Sequence, residues 1–488
     1  MIIVTVLTLG VAFCSLLIFG NIYVALAGVG VLLIANIAMV LAGRDAFHKK
    51  SVLLVLWFIL LSHRALVPRT KVDESGSLFF VEVGATLAVL AIGSLYFIGS
   101  VSNLKIRPFE GRFWLLVYTV LAGISLLWTP DPIYSGFWFL RLTCVAVLLL
   151  VYFAEADVDD CRKFFIVTLV GSAPVILLPI IGYMVGVSHA LVGAQRVVGF
   201  WVHPGVVTIV AFSVAAAAFA AILQGRGGRS RSEHLMYWIL FGLGCVSGFL
   251  AAGKTGAIGA GIAVAVMLLI ARRIRFLIGM LAIAAVGFVV YDEVAKGMEV
   301  GLIAHMSSYN FERLGTVQGR FNLWVSALGA WSESVQTTLL GRGFTSFRSA
   351  HIAAENGWDP GHAHNSYLNV LVDMGIVGAF AYIAMLWQAT RNTVAMAKRR
   401  GRDFSHTTAF IGFVALVSLL IGATMDDVFG GTLQPTSYLL LGIAITLDRL
   451  AFLDRHAVTD LPEPARAYSP MHPGSRLASP LVPPAFRG

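Results

Sequence analysis

The sequence predicts an all-α, polytopic integral membrane protein with about 12 to 14 transmembrane helices and one large external loop that contains short helices. Hydrophobic residues make up 58% of its 488 positions, charged residues only 12%, and the mean hydropathy is +0.83. A water-soluble domain carries roughly twice that charged fraction. Apolar runs near the ~20 residues that cross a bilayer recur along the chain. Such runs are predicted as helices, because a span in lipid must satisfy its own backbone hydrogen bonds.

Fourteen of these apolar runs are predicted to cross the membrane, and twelve is the lower count because several runs are short. They lie at residues 2–19, 22–42, 51–67, 78–100, 113–128, 136–153, 164–187, 204–223, 236–252, 256–271, 275–291, 367–390, 407–424 and 435–451. None shows the alternation of a barrel strand, which leaves the helix as the only predicted form.

Lysine and arginine are distributed unevenly between the two sides of the predicted membrane. Of the 35 basic residues, 24 fall in alternate loops and in the C-terminal segment. The positive-inside rule makes that side cytoplasmic and places both termini there. The net charge of +9 then reflects topology and contact with anionic membrane lipids, so no nucleic-acid partner is expected.

Two segments depart from the pattern of spans. Residues 292–366 form much the longest external loop, and loops of that length are usually functional. Residues 452–488 are rich in Pro, Ala, Ser and Arg and are predicted to form a disordered cytoplasmic tail. The chain is therefore predicted to consist of an N-terminal helix bundle (1–291), the external loop as the catalytic segment, C-terminal spans (367–451) and the tail.

The external loop contains signs of folded structure. Residues 320–331 place apolar side chains every three to four positions, which predicts a helix in the headgroup plane anchored by Trp324 and Trp331. Turns are predicted at 341–344 and 358–361, and they deliver the chain to a histidine at the membrane boundary.

That histidine, His364, is followed by Asn365 and then by Gly375 and Gly378 in the next span. A histidine is the side chain best suited to move a proton near neutral pH. The alternative is that His364 only begins a helix at the interface. His362, two residues earlier, is predicted to be structural.

Four basic residues are candidates for binding an anionic substrate. Arg320 and Arg196 lie on the external side of a chain that keeps most of its arginines on the other side. Lys254 lies between two spans, where it would meet phosphate or extend to lipid headgroups. Arg141 lies inside a span, where a charge is costly and usually paired or functional.

Two further patterns are interpreted as structural rather than functional. Residues 248–255 match the spacing of a phosphate-binding loop, but membrane spans flank them and place Lys254 outside, so nucleotide binding is not expected. Asp426 and Asp427 follow the span that ends at 424 and are predicted to form a solvated turn, with contact to sugar hydroxyls as the alternative.

The arrangement of His364, Asn365, Gly375 and Gly378 resembles the pattern of the bacterial O-antigen ligase and polysaccharide polymerase family, which has it at the end of a large periplasmic loop. Three other segments are similar to parts of that family: Gly319–Trp324, which resembles its arginine motif, Trp128–Pro132, and Arg196–Pro204. The arginine motif departs in spacing, because the leucine follows Arg320 by three positions and some ligases have four.

The resemblance implies transfer of a glycan at the periplasmic face of the bacterial inner membrane, from an undecaprenyl-pyrophosphate-linked donor to a glycan or lipid acceptor. His364 and Arg320 would be catalytic, and Arg196, Lys254, Asn365 and Arg141 would bind the pyrophosphate or the glycan. Polymerisation of repeat units of an exopolysaccharide or O-antigen is preferred, and ligation to lipid A-core is the alternative. Polysaccharide export or chain-length proteins are the expected protein partners.

The reaction is expected to need no metal or cofactor, because the acidic residues of the external loop are dispersed rather than clustered. A transporter is the alternative from another class, since polytopic carriers have similar length and hydropathy. Carriers typically show internal repeats and charged midplane residues. The chain has no convincing repeat, and its conspicuous feature is an external loop with His and Arg, which favours an enzyme.

Overall fold

The computed structural model describes twelve stretches of the chain. These are residues 49–66, 106–108, 110–184, 204–225, 230–251, 253–289, 315–353, 357, 361–398, 404–426, 428–429 and 433–459. Fifteen helices lie in these stretches and are labelled α1 to α15 in chain order. Their bounds are Lys49–Leu66, Gly111–Ser125, Pro132–Tyr152, Val158–Gly171, Ala173–Met184, Pro204–Leu223, Arg231–Ala251, Lys254–Ile270, Ile274–Val289, Gly315–Trp331, Val335–Leu340, Ser346–Ser349, Ser366–Lys398, Phe404–Gly422 and Pro435–Thr459.

The predicted all-α polytopic membrane fold is confirmed. Six helical segments in the described residues are long and apolar enough to cross a membrane, and α1, α2, α8 and α14 contribute shorter apolar helices. Eleven of the fourteen predicted spans coincide with helices. The other three, 2–19, 22–42 and 78–100, lie outside the described residues. One predicted span, 164–187, overlaps two consecutive helices, α4 and α5, that together form a single apolar segment.

Small residues let four of the helices, α6, α7, α8 and α14, pack backbone against backbone. A Cβ added at Gly244 of α7 would lie 2.6 Å from the carbonyl oxygen of Ala211 in α6. A Cβ at Gly259 of α8 would lie 2.8 Å from the carbonyl oxygen of Ser418 in α14. Such close approach is typical of helix pairs in lipid, where dispersion contacts replace the hydrophobic effect as the driving force.

The apparent phosphate-binding loop belongs to this helix packing. Gly248 lies inside α7, and a Cβ there would meet the Phe212 ring at 2.6 Å. Gly253 precedes α8, and a Cβ there would lie 2.0 Å from Thr208 Oγ1. The glycines thus allow α7 and the start of α8 to approach α6, and Lys254 is the first residue of a membrane helix.

Substituting Gly256 with alanine should destabilise the bundle by about 1–3 kcal/mol, because its Cβ would lie 2.5 Å from the backbone oxygen of Thr208. Gly261 in the same helix is the matched control, since nothing lies within 4 Å of a Cβ there. Gly261→Ala should be neutral or stabilise α8 by roughly 0.5–1 kcal/mol. The thermal midpoints of the two purified variants measure this difference, and equal midpoints would contradict the packing.

Basic side chains gather at one end of the bundle, called the cationic end below. Lys50 pairs with Asp160. Arg112 pairs with Glu110 at 2.8 Å, and Arg449 donates a hydrogen bond to the chain between α3 and α4. The described residues of 315–353 and 361–366 lie at the opposite end, called the loop end, because α2 and α14 run away from the cationic end towards them.

The last helix extends beyond its predicted end. The span was predicted to stop at 451, with a disordered tail from 452, but α15 continues to Thr459. Phe452 explains the extension, because its ring packs against Arg107 and Arg449 and gives the extra turns a tertiary contact. Residues 460–488 of the predicted tail lie outside the described residues.

Candidate functional site

The external loop has a small hydrophobic core of its own, as the turn and helix signals predict. Its buried members come from α10, α12, the segment before α13, and α13 itself. They are Leu323, Ala327, Phe347, Ile352, Ala363 and Val372. The Trp324 indole N–H donates to the carbonyl oxygen of Ala363 at 2.8 Å, which ties α10 to the approach to His364.

The predicted interfacial helix is present as α10, but its two anchors have other contacts. Trp331 donates its indole N–H to the carbonyl oxygen of Thr338 at 3.0 Å, and both tryptophans are only partly exposed. The exposed apolar face instead contains Phe321, Val325 and Leu328. The tertiary contacts of α10 direct both indole N–H groups to the loop, and anchoring by the two tryptophans stays a prediction. Placement of α10 in the headgroup plane stays a prediction.

Gly375 interrupts α13 and attaches the loop to it. Its φ of 62° and ψ of −168° lie in a region that is essentially restricted to glycine, and the helix kinks there. The carbonyl oxygens of Val372 and Asp373 accept the backbone N–H groups of Arg342 and Gly343, both at 2.9 Å. The kink therefore provides two acceptors that hold the loop segment in place.

The glycines around the kink are required because there is no room for a side chain, in addition to the backbone conformation of Gly375. A Cβ at Gly375 would lie 2.4 Å from the carbonyl oxygen of Leu339, and a Cβ at Gly341 would lie 2.5 Å from the nitrogen of Gly375. A Cβ at Gly378 would lie 2.2 Å from the Cβ of Met374. The glycine pair that follows the histidine thus shapes the kink and admits the loop backbone.

Asp373 binds the continuation of this loop segment at Ser346 and Phe347. It was not among the predicted site residues. Its side chain is 2% exposed, and its Oδ1 accepts from the Phe347 backbone N–H at 2.8 Å and from the Ser346 hydroxyl at 3.1 Å. On the α2 side, Ser125 Oγ accepts the N–H of Phe344 at 2.9 Å. The loop is therefore fixed to α2 and α13 by buried hydrogen bonds.

His364 lies directly before α13 and is 8% exposed. Its Nδ1 lies 3.4 Å from Oδ1 of Asp426, itself 5% exposed, and its backbone N–H donates to Nδ1 of His362 at 3.2 Å. The backbone of His364 has a φ of 49°, an uncommon left-handed conformation for a non-glycine residue. The predicted solvated turn is wrong for Asp426, which is buried against the histidine, and Asp427 lies outside the described residues.

Ser366 fixes the turn that carries Asp426. Its backbone N–H donates to the carbonyl oxygen of Ala423 at 2.8 Å. Its hydroxyl oxygen accepts the N–H groups of Val428 and Phe429 at 2.8 and 2.9 Å. One fully buried serine therefore holds the start of α13 against the turn after α14.

Arg320 reaches the same turn from α10. Its Nη1 donates to the carbonyl oxygen of Met425 at 3.0 Å. Since Met425 and Asp426 are neighbours, the two predicted catalytic residues, Arg320 and His364, contact adjacent residues of one turn although 44 positions separate them in the sequence. The structure thus assembles a histidine, a carboxylate and an arginine at the loop end.

A comparison with protein families finds one match. A family model described as O-antigen ligase matches residues 235–383. The chain contains an O-antigen ligase-related domain. No curated protein matches the chain. The matched stretch includes Arg320, His364, Gly375 and Gly378, whereas Asp426 lies beyond its end.

The segment Trp128–Pro132, which resembles a part of the family, lies between α2 and α3. Oδ1 of Asp131 accepts the N–H of Tyr134 at 3.0 Å and caps α3. Thr129 and Thr345 both hydrogen-bond to the hydroxyl of Ser135, at 2.9 and 3.0 Å. The segment therefore caps α3 and joins it to the loop through Ser135.

Asn365 has a structural contact at the start of α13. Its side-chain oxygen accepts the N–H groups of Tyr367 and Leu368 at 3.0 and 3.2 Å, which is the geometry of a helix N-cap. Its role in substrate binding stays a prediction. The cap explains why an amide follows His364, because it begins the helix directly after the left-handed residue.

The remaining predicted binding residues are distributed around the bundle. Arg141 is 2% exposed within α3, and its guanidinium lies 5.0 Å from the ring centroid of Trp138 and 5.5 Å from that of Phe137. Lys254 begins α8 at the loop end. Arg196 lies outside the described residues. Across the described ranges, no group of three or more His, Cys, Asp or Glu side chains is placed to hold a metal ion.

Proposed function

We propose that the protein transfers a glycan from an undecaprenyl-pyrophosphate-linked donor to an acceptor hydroxyl at the loop end, which would face the periplasm. The observation that carries the proposal is the contact of His364 and Arg320 with Asp426 and Met425 of one turn. This pairing of a proton-transfer group with a cation is what glycosyl transfer from a pyrophosphate requires. The O-antigen ligase-related domain supports the same class of reaction.

His364 acts as the general base in this proposal. Oδ1 of Asp426 accepts a hydrogen bond from Nδ1–H, which leaves the basic lone pair on Nε2 and orients the ring. As the acceptor oxygen bonds to the anomeric carbon, its proton passes to Nε2. The bond from that carbon to the pyrophosphate oxygen breaks, and its electron pair leaves with undecaprenyl pyrophosphate.

Arg320 stabilises the departing pyrophosphate. An arginine has five N–H donors in a planar array that matches phosphate oxygens, and the Met425 carbonyl accepts from one nitrogen, Nη1. Arg196, Lys254 and Arg141 are further candidates for binding the donor. Arginines would then supply the charge neutralisation that a divalent ion supplies in other transferases, so the reaction is proposed to be metal-independent.

The acceptor defines two versions of the proposal. In the first, a second lipid-linked repeat accepts the chain, which polymerises an exopolysaccharide or O-antigen together with export or chain-length proteins in the inner membrane. In the second, the alternative, lipid A-core accepts a finished chain, and the family match fits either version. Deletion of the gene separates the two, because loss of a polymerase leaves single repeats and loss of a ligase leaves unligated long chains.

Reconstitution tests whether the protein is an enzyme at all. The purified chain in liposomes with a lipid-linked oligosaccharide should lengthen or transfer the glycan and release undecaprenyl pyrophosphate. The products are followed by gel electrophoresis and mass spectrometry. Movement of the lipid-linked glycan across the bilayer without any new glycosidic bond would support the transporter alternative and overturn the proposal.

Asp426→Asn should lower the rate of transfer by roughly 10- to 100-fold, the loss typical when a partner that orients a histidine is removed. The amide can present an N–H to Nδ1 and favour the wrong tautomer, while the backbone carbonyl of Asp426 can still accept from Ser366. Asp131→Asn is the matched control at the same end, because asparagine caps α3 as well as aspartate. Equal rates for both variants would remove Asp426 from the mechanism.

A further inference from the structure

Two arginines contact one phenyl ring at the cationic end of the bundle, opposite the loop end. The guanidinium carbon of Arg107 lies 4.7 Å from the ring centroid of Phe452, and that of Arg449 lies 5.1 Å from it. The His456 ring lies 4.0 Å from the same ring. Residues 449, 452 and 456 share one face of α15, and Arg107 reaches that face from the segment before α2.

The hydrogen bonds of His456 define its protonation and fix the position of Arg107. Its Nδ1 lies 2.8 Å from the carbonyl oxygen of Phe452, and a carbonyl can only accept, so Nδ1 carries a proton. Its Nε2 lies 2.9 Å from Nη1 of Arg107, which can only donate, so Nε2 accepts. The imidazole is therefore neutral and holds the guanidinium beside the phenyl ring.

Positive charge accumulates around this ring. Arg112 and Arg107 both act electrostatically on Arg449. Glu110 also acts on Arg449, with the opposite sign, and two nearby carboxylates have other contacts. Glu110 pairs with Arg112 at 2.8 Å, and Asp448 accepts the Gly111 N–H at 2.8 Å and an amide of α13. Like charges held this close repel one another, so an added anion would be favourable.

The position of the Phe452 ring along α15 indicates which kind of anion could bind beside the two arginines. The apolar run of α15 is predicted to end at residue 451, which places Phe452 next to the predicted membrane boundary at the cationic end. Arg107 is exposed there, and Arg449 is half-buried. Guanidinium groups are well matched to phosphate oxygens, and basic pockets beside membrane helices bind anionic headgroups. We propose that Arg107, Arg449 and Phe452 form a binding site for the phosphate headgroup of an anionic phospholipid.

Lipid binding to the full-length protein tests this site. The purified chain in detergent is titrated with phosphatidylglycerol, and bound lipid is measured by native mass spectrometry. Arg107→Gln should weaken retention of phosphatidylglycerol by about fivefold, the factor expected for one basic residue at a membrane surface. Arg275→Gln is the matched control, because Arg275 is exposed at the same end and its loss changes the net charge equally. It should leave retention unchanged.

Other ligands distinguish this site from general attraction. Phosphatidylcholine should be retained less than phosphatidylglycerol, and inorganic phosphate should not displace the bound lipid. Arg449→Gln provides a second variant, and unchanged helicity and elution show that each variant folds. Equal weakening by Arg107→Gln and Arg275→Gln, equal retention of the two lipids, or displacement by inorganic phosphate would each overturn the proposal.

Discussion

Replacement of His364 should lower glycan transfer by roughly 10²- to 10⁴-fold, the contribution typical of a general base. In the proposed mechanism the substitution removes the group that takes the acceptor proton, whereas Arg320 and its contact with Met425 remain. The fall should therefore appear in kcat, while binding of the lipid-linked donor changes little. A reconstituted transfer assay with varied donor concentration measures both quantities.

The backbone of His364 determines which substitution gives the cleaner result. Its φ of 49° is unfavourable for alanine but is tolerated by asparagine. His364→Asn thus removes the base with little backbone strain, and His364→Ala removes it with some. Both variants should be inactive, and His364→Asn should be the more stable of the two. Comparable activity in either variant and the wild type would exclude His364 as the base.

A second histidine of the same loop supplies the control. His351 is exposed and has the same φ of 49°, so His351→Asn makes the same chemical change at a similar backbone conformation. We expect His351→Asn to keep the activity of the wild type. A parallel loss in His351→Asn and His364→Asn would point to a general effect of histidine removal on the loop.

The local signals of the sequence predicted much of this fold. Apolar runs place helices at the right positions because a span in lipid leaves the backbone no other solution. The histidine pattern locates the start of α13 correctly, since His364, Asn365 and Gly375 act over short distances in the chain. Which face of α10 packs against the rest of the loop was less predictable, because it depends on tertiary contacts such as those of Trp324 and Trp331.

The partners of the site depend on tertiary structure and were not predictable in the same way. Asp426 lies 62 positions from His364, and only the packing of α13 against α14 brings them together. The sequence did contain a usable signal for Asp426. A histidine that acts as a base is usually oriented by a carboxylate, and the predicted external turn after residue 424 contains one. The sequence contains no such signal for Asp373. A single acidic residue in an apolar helix does not indicate which buried N–H groups it accepts from.

Gly375→Ala should have the largest structural effect of any single substitution at the loop end. The φ and ψ of Gly375 cost an alanine about 1–3 kcal/mol. The new Cβ would also lie 2.4 Å from the carbonyl oxygen of Leu339, and relief of such an overlap costs another ~1–3 kcal/mol. The thermal midpoint should fall and transfer should be lost, because α11 and the segment after it would separate from α13.

Loss of activity in Gly375→Ala should have a different origin from that in His364→Asn. The amides of Arg342 and Gly343 would lose the carbonyl acceptors of Val372 and Asp373, and the loop would become accessible to protease. Gly329→Ala is the matched control, because nothing lies within 4 Å of a Cβ at that position of α10. It should keep both stability and activity. Since the kink accepts hydrogen bonds from the loop, a Gly375→Ala variant with wild-type midpoint, protease resistance and activity would show that the kink does not hold the site together.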